Sequence, residues 1–139
     1  MSRTLRLWFL LSAAVSIASA ALFCWLRYGL QASDEFAAYN HPAQPLALAV
    51  HIASSIGLTF VLGALFHAHV LAQWAKGRQA RRSGLVLLSL AAVMTASGAL
   101  LPSAAGLRTH TLIWAAHWIS GGAFSLVLPC HILWAKRGV

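Results

Sequence analysis

Apolar residues gather into four long runs, at roughly 5–28, 46–74, 85–101 and 111–134, and polar residues gather into the short breaks between them. A hydrocarbon core about 30 Å thick is crossed by about 20 helical residues. The first, second and fourth runs reach that length, and the third reaches it once flanking residues are included. Each therefore predicts a membrane-spanning helix, the form in which a chain satisfies its own backbone groups in lipid. The breaks carry turn chemistry: Ala32-Ser33-Asp34-Glu35 leading to Asn40-His41-Pro42, then Lys76-Gly77-Arg78, then Pro102-Ser103-Ala104-Ala105-Gly106. The expectation is an all-α integral membrane protein, one antiparallel four-helix bundle spanning 1–139, with no fixed-period repeat and no low-complexity segment.

Composition agrees with that pattern. Of 139 residues 60% are hydrophobic and 9% charged, outside the balance of a soluble domain. Arg3, Arg6, Lys76, Arg78, Arg81, Arg82, Lys136 and Arg137 fall on one side of the predicted topology. That side is expected to be cytoplasmic, with both termini inside. Arg27, Arg108 and the only two acids, Asp34 and Glu35, fall on the other. The formal net charge of +8 is thus a topology signal. It does not mark a nucleic-acid patch, because no soluble domain exists to carry one.

Arg3, Arg6, the apolar stretch and Ala18-Ser19-Ala20 also have the look of a signal peptide. Apolar residues continue through Phe23-Cys24-Trp25-Leu26, and removal would leave an odd number of spans, so the first run is read as an uncleaved helix. Cys24 and Cys130 lie near opposite faces of the predicted bilayer, too far apart for a disulfide, and read as small buried hydrophobes.

The chemistry rests on histidine. Imidazole is costly in hydrocarbon unless its nitrogens are occupied, and five histidines fall at membrane depth: His51, His67, His69, His117 and His131. At about 100° and 1.5 Å per residue, His117 and His131 lie about 40° short of four full turns and roughly 21 Å apart, on one face at two depths. His51 and His69 share a face roughly 27 Å apart, whereas His67 turns about 160° away from His51 at roughly 24 Å. Rotation favours His69 as the inner partner and axial distance favours His67. With the second and fourth runs antiparallel, His51 and His117 approach the outer leaflet, and His67 or His69 and His131 the inner one. Haem iron best fits such pairs, each pair clamping one b-type haem with neutral imidazoles.

Porphyrin is a broad plate that helices approach only where side chains are short. Ser54 and Ser55 follow His51 on its face, Ser120 and Gly121 follow His117, and Gly122, Ala123, Gly57, Gly63 and Gly98 extend the clearing. Ordinary small-residue packing in lipid would use the same residues. His41 and His110 read as interfacial, with His110 within about 20° of the face of His117. Arg27 and Arg108 are candidate partners for haem propionates or snorkelling cations at the outer rim.

His117-Trp118-Ile119-Ser120-Gly121 through Pro129-Cys130-His131-Ile132-Leu133-Trp134 resembles the final helix of the small four-helix bacterial diheme cytochromes b, the cytochrome b-561 type and the cytochrome b subunits of hydrogenases and formate dehydrogenases. His69-Val70-Leu71-Ala72-Gln73-Trp74 and Thr95-Ala96-Ser97-Gly98 are weaker points of likeness, and together these segments cover roughly the last 90 residues. The chain departs from some members in having no histidine in its first run, which leaves both remaining ligands to the second run and leaves a one-haem protein open. The resemblance implies electron transfer across a bacterial inner membrane through two bis-histidine haems, between a quinone pool and an extrinsic redox protein or complex subunit. It also implies a role as the quinone-reactive subunit of an oxidoreductase. Two other classes use the same residues differently: a His-lined transition-metal transporter and a structural membrane anchor.

Overall fold

The computed structural model describes residues 2–30, 41–72 and 81–137, with 81 and 135–137 described by backbone alone. Asp34, Glu35, Gln73, Trp74, Lys76, Gly77 and Arg78, to which the sequence assigns loop, rim or helix-end roles, lie outside the described residues. Most of the described residues are helical. Helix α1 (Arg3–Cys24) runs into a π-wound turn, Trp25–Gly29. Helix α2 (Gln44–Leu65) runs into a second, Phe66–Leu71. Helix α3 (Arg81–Leu100) ends in a 3₁₀ turn, Leu101–Ser103, and α4 covers Leu107–Arg137.

All four helices are long and apolar enough to cross a membrane. Their large apolar side chains are turned outward, Phe60 to 82% and Leu126 to 74%. A water-soluble surface does not carry so much exposed hydrocarbon.

Local chemistry starts and stops the helices. The Ser2 hydroxyl accepts from the Leu5 amide at 3.2 Å and caps α1. Before α2, the His41 imidazole Nδ1 accepts from the Ala43 amide at 3.1 Å, and Pro45 stands in the first turn, where its missing N–H costs no helix bond. Gly106, at φ +84°, makes the turn into α4, a conformation that clashes for any side chain bearing Cβ. Gly29 is fixed by proximity: a Cβ there would stand 2.9 Å from the Trp25 ring.

Two boundaries differ from those the apolar runs predict. Helix α3 covers Arg81–Leu100, so Arg81 and Arg82 are helical, where the sequence puts them in a loop. Helix α4 begins at Leu107, so Arg108 and His110 are helical. In both places the helix outruns its apolar stretch because interfacial basic and small polar residues are tolerated in a terminal turn, where side chains reach water.

The chain divides into two compact units, Met1–His69 and Val70–Val139. In the first, α1 packs on α2 through small residues: Ala13, Ser16 and Ser19 are buried on one helix and Ala47 on the other, with Leu58 and Leu65 extending the buried face. Close approach of backbones drives helix pairing in lipid, where the hydrophobic effect is absent. Ser16 Oγ and Ser55 Oγ meet at 2.9 Å across this pair. Ser55→Ala is expected to cost about 0.6 kcal/mol, the usual worth of an interhelical hydrogen bond in a membrane. Unfolding in mixed detergent micelles would read it, and a loss several times larger would show that the pair carries more than one bond.

In the second unit α3 and α4 run antiparallel. Ser83 meets His131 near one end, and Ser97 meets His117 further along. Leu87, Ala91, Ser97, Ser120, Phe124 and Leu128 are buried there. Helix α4 continues through Pro129, which cannot donate to the carbonyl one turn earlier at Ser125. The serine hydroxyls satisfy themselves on their own helices, as Ser120 does on the Ala116 carbonyl at 2.6 Å and Ser125 on Gly121 at 2.8 Å.

Candidate histidine centre

Three of the predicted ligand histidines are held in the same way, each by Nδ1 against the helix that precedes its own. His51 Nδ1 lies 3.0 Å from the Ser16 carbonyl on α1. His117 Nδ1 lies 3.0 Å from the Met94 carbonyl and 3.3 Å from Ser97 Oγ on α3. His131 Nδ1 lies 2.8 Å from Ser83 Oγ, also on α3. A carbonyl only accepts, so His51 and His117 carry their proton on Nδ1, and a neutral ring then has its lone pair on Nε2. That is the tautomer a metal-ligating histidine adopts when a second partner orients it.

The docks of His51 and His117 share a carbonyl acceptor and the same serine bonding around it. The Ser16 carbonyl also accepts from Ser19 Oγ at 3.1 Å, and the Met94 carbonyl from Ser97 Oγ at 3.1 Å. Each serine bonds as well to the carbonyl one residue earlier, Val15 at 2.7 Å and Val93 at 2.6 Å. Three residues after each histidine a serine returns to the histidine carbonyl, Ser54 at 3.1 Å and Ser120 at 3.2 Å.

Behind the match is an internal repeat. Ala13-Ala14-Val15-Ser16-Ile17-Ala18-Ser19 on α1 corresponds to Ala91-Ala92-Val93-Met94-Thr95-Ala96-Ser97 on α3, and His51-Ile52-Ala53-Ser54 on α2 to His117-Trp118-Ile119-Ser120 on α4. A fixed-period scan misses it because the unit is a pair of helices whose intervening loops differ in length.

His131 stands outside that repeat. The step that carries His117 back to His51 carries His131 back to Leu65, which is buried. His69 follows one turn later, inside the π-wound segment with His67. The rotation expected for these two histidines assumes α-helical winding throughout, and a π turn holds more residues, so each residue past Leu65 rotates less. Exposure separates them: His69 is half-buried and His67 exposed.

Glycines shape the second unit. A Cβ at Gly98 would stand 3.0 Å from His117 Cε1 and 3.2 Å from its Nδ1, so the imidazole occupies the space a side chain would fill. A Cβ at Gly84 would stand 3.8 Å from His131 Cε1, an ordinary contact. The sequence reading includes Gly98 in its clearing and misses Ser83 and Gly84. The signal was present: Ser83-Gly84 and Ser97-Gly98 are the same dipeptide at the interval that separates His117 from His131.

The other candidates are more dispersed. Arg27 sits exposed in the π turn that ends the first helix, and Arg108 and His110 are exposed in the first turns of α4. His41 serves the turn before α2 and uses Nδ1 as an acceptor, the reverse of the docked histidines. Trp114 and Trp118 flank His117 in sequence, with ring centroids 5.4 Å apart at 44°. Cys24 and Cys130 are free thiols. Among the described residues no group of three or more His, Cys, Asp or Glu could hold a bare metal ion. No protein-family model, curated protein or solved structure matches the chain.

Proposed function

We propose that this is a b-type cytochrome of the bacterial inner membrane, with both termini cytoplasmic, that passes electrons between a quinone pool and a redox partner protein through two bis-histidine haems. The observation that supports it is the shared Nδ1 docking of His51, His117 and His131, which orients three imidazoles as axial ligands are oriented. Two imidazoles suffice for a haem, so no larger cluster of ligands is required.

His117 and His131, roughly 21 Å apart along one helix, would serve different irons, and His51 and His69 are the other candidate ligands. Haem, when bound, supplies one-electron redox chemistry. The residues of the chain hold and tune it. The imidazoles bind through Nε2, and the Ser16 and Met94 carbonyls and the Ser83 hydroxyl fix ring orientation. Gly57, Gly63 and Gly122, where an added Cβ would meet nothing within 4 Å, would leave room for the porphyrin. Arg27 and Arg108 neutralise propionates near the outer rim.

Protein purified from haem-replete cells is expected to give a reduced-minus-oxidised spectrum of b-type haem, with pyridine haemochrome analysis returning about two haems per chain. A colourless preparation would sink the proposal. His69→Ala is expected to lose one haem and His67→Ala to lose none, following the half-burial of His69 and the exposure of His67. The reverse result would transfer the ligand to His67.

A further inference from the structure

The correspondence between the two helix pairs extends a full turn past each histidine. Thr59 Oγ1 donates to the Ser55 carbonyl at 2.8 Å, and Ser125 Oγ donates to the Gly121 carbonyl at 2.8 Å. Leu58 and Phe124, three residues after those carbonyls, are both buried. Ser55 and Gly121 are therefore equivalent positions, as Ser16 and Met94 are. At both the two units carry different residues, and the differences go together: Ser16 faces Ser55 in the first unit, and Met94 faces Gly121 in the second.

The two contacts are made by different means. Ser16 Oγ and Ser55 Oγ are 2.9 Å apart, a hydrogen bond between short side chains. A Cβ at Gly121 would stand 3.7 Å from Met94 Sδ, so the thioether lies against the open side of the glycine. Serine is short and holds its neighbour only when that neighbour offers a hydroxyl, whereas methionine is long and flexible and fills the space an absent side chain leaves. The mixed pairs do neither. Serine against glycine leaves a gap, and methionine against serine turns a hydroxyl toward sulfur, a weak acceptor.

The residue that makes this contact with its side chain also supplies the carbonyl beside the histidine, Ser16 for His51 at 3.0 Å and Met94 for His117 at 3.0 Å. A main-chain carbonyl is the same group in every residue, so only the placement of its helix can tune what it does. We propose that each helix pair closes on its histidine through a two-point clasp, in which one residue of the first helix accepts the imidazole proton on its carbonyl and fixes that carbonyl by seating its side chain on the position four residues past the histidine. Met94 and Gly121 are the positioning residues for His117, as Ser16 and Ser55 are for His51, and the two clasps interchange only as pairs. The clasp goes beyond the cytochrome reading, because it orients the imidazoles with or without a bound haem.

The test reads the Nδ1 protons by nuclear magnetic resonance in the full chain, carrying isotope-labelled histidine, purified in micelles and kept reduced so that any haem is diamagnetic. A ring N–H held by a carbonyl resonates downfield and exchanges slowly with water, and the signals of His51 and His117 are those missing from the corresponding alanine variants. Met94→Ser is expected to move the His117 signal upfield and speed its exchange several-fold, with His51 unchanged. Adding Gly121→Ser should return the signal toward its parent position, because the serine pair of the first unit is then rebuilt in the second. Met94→Leu, which keeps the bulk, should change little. In the first unit Ser16→Met and Ser55→Gly should each disturb His51 alone and together restore it. Should Met94→Ser fail to fold, the exchange in the first unit makes the same comparison. A His117 signal indifferent to Met94→Ser, a double variant no closer to the parent than the single one, or a change at both histidines together would overturn the clasp and leave the cytochrome proposal standing. A colourless parent protein would remove that proposal and leave the clasp to be judged by its own signals.

Discussion

His117→Ala and His131→Ala are each expected to purify with about half the haem of the parent protein, and the double variant with almost none. The two residues lie on α4 roughly 21 Å apart, so no porphyrin touches both and each substitution deprives a different iron of a ligand. The fold has little reason to fail. The Met94 carbonyl left behind by His117 still accepts from Ser97 Oγ. Ser83, left behind by His131, is a half-buried residue of α3. Each single variant should keep the helical circular dichroism of the parent. Its melting temperature should fall, because a haem that binds only the folded state stabilises it by mass action. Pyridine haemochrome analysis normalised to protein reads the result directly. Single variants that keep the full complement and an unchanged spectrum would exclude both residues as ligands.

What the sequence conveyed and what it withheld divide along physical lines. The spans were legible because crossing hydrocarbon requires a run of fixed length, and all four runs became helices. Their ends were less legible, because Arg81 and Arg82 read as part of a basic break although they are helical. The histidines on α4 were legible through their spacing alone. The acceptors that orient His51 and His117 were hidden, since a main-chain carbonyl belongs to every residue and leaves no signature in its own side chain. Only the Ala-Ala-Val and Ala-Ser pairs shared by α1 and α3 marked where those carbonyls stand. The choice between His67 and His69 lay beyond simple arithmetic for a different reason. It assumed a constant rotation per residue, and the winding changes at Phe66.

The glycines of α3 offer the sharpest contrast the second unit provides. Gly98→Ala places a methyl group 3.0 Å from His117 Cε1, closer than carbon atoms normally approach, against a ring held at its Nδ1 by the Met94 carbonyl. The ring must shift by a few tenths of an ångström or the helices must part, and either loosens an orientation that ligands hold to within about 0.5 Å. Disturbing the partner of a metal-bound histidine weakens binding on the order of 10-fold to 100-fold, and a comparable loss is expected for the haem at His117. Gly84→Ala adds the same methyl group on the same helix, yet meets the His131 ring at 3.8 Å, where contact is attractive. It is expected to keep both haems and to gain modestly in helix stability, since alanine fixes the backbone at lower entropic cost than glycine. Competition with a soluble haem scavenger, followed by the loss of absorbance from the protein, would rank the two variants. Equal haem release from both would show that the imidazole of His117 does not depend on the space beside Gly98, and a faster release from Gly84→Ala would reverse the assignment of which glycine makes room for a ligand.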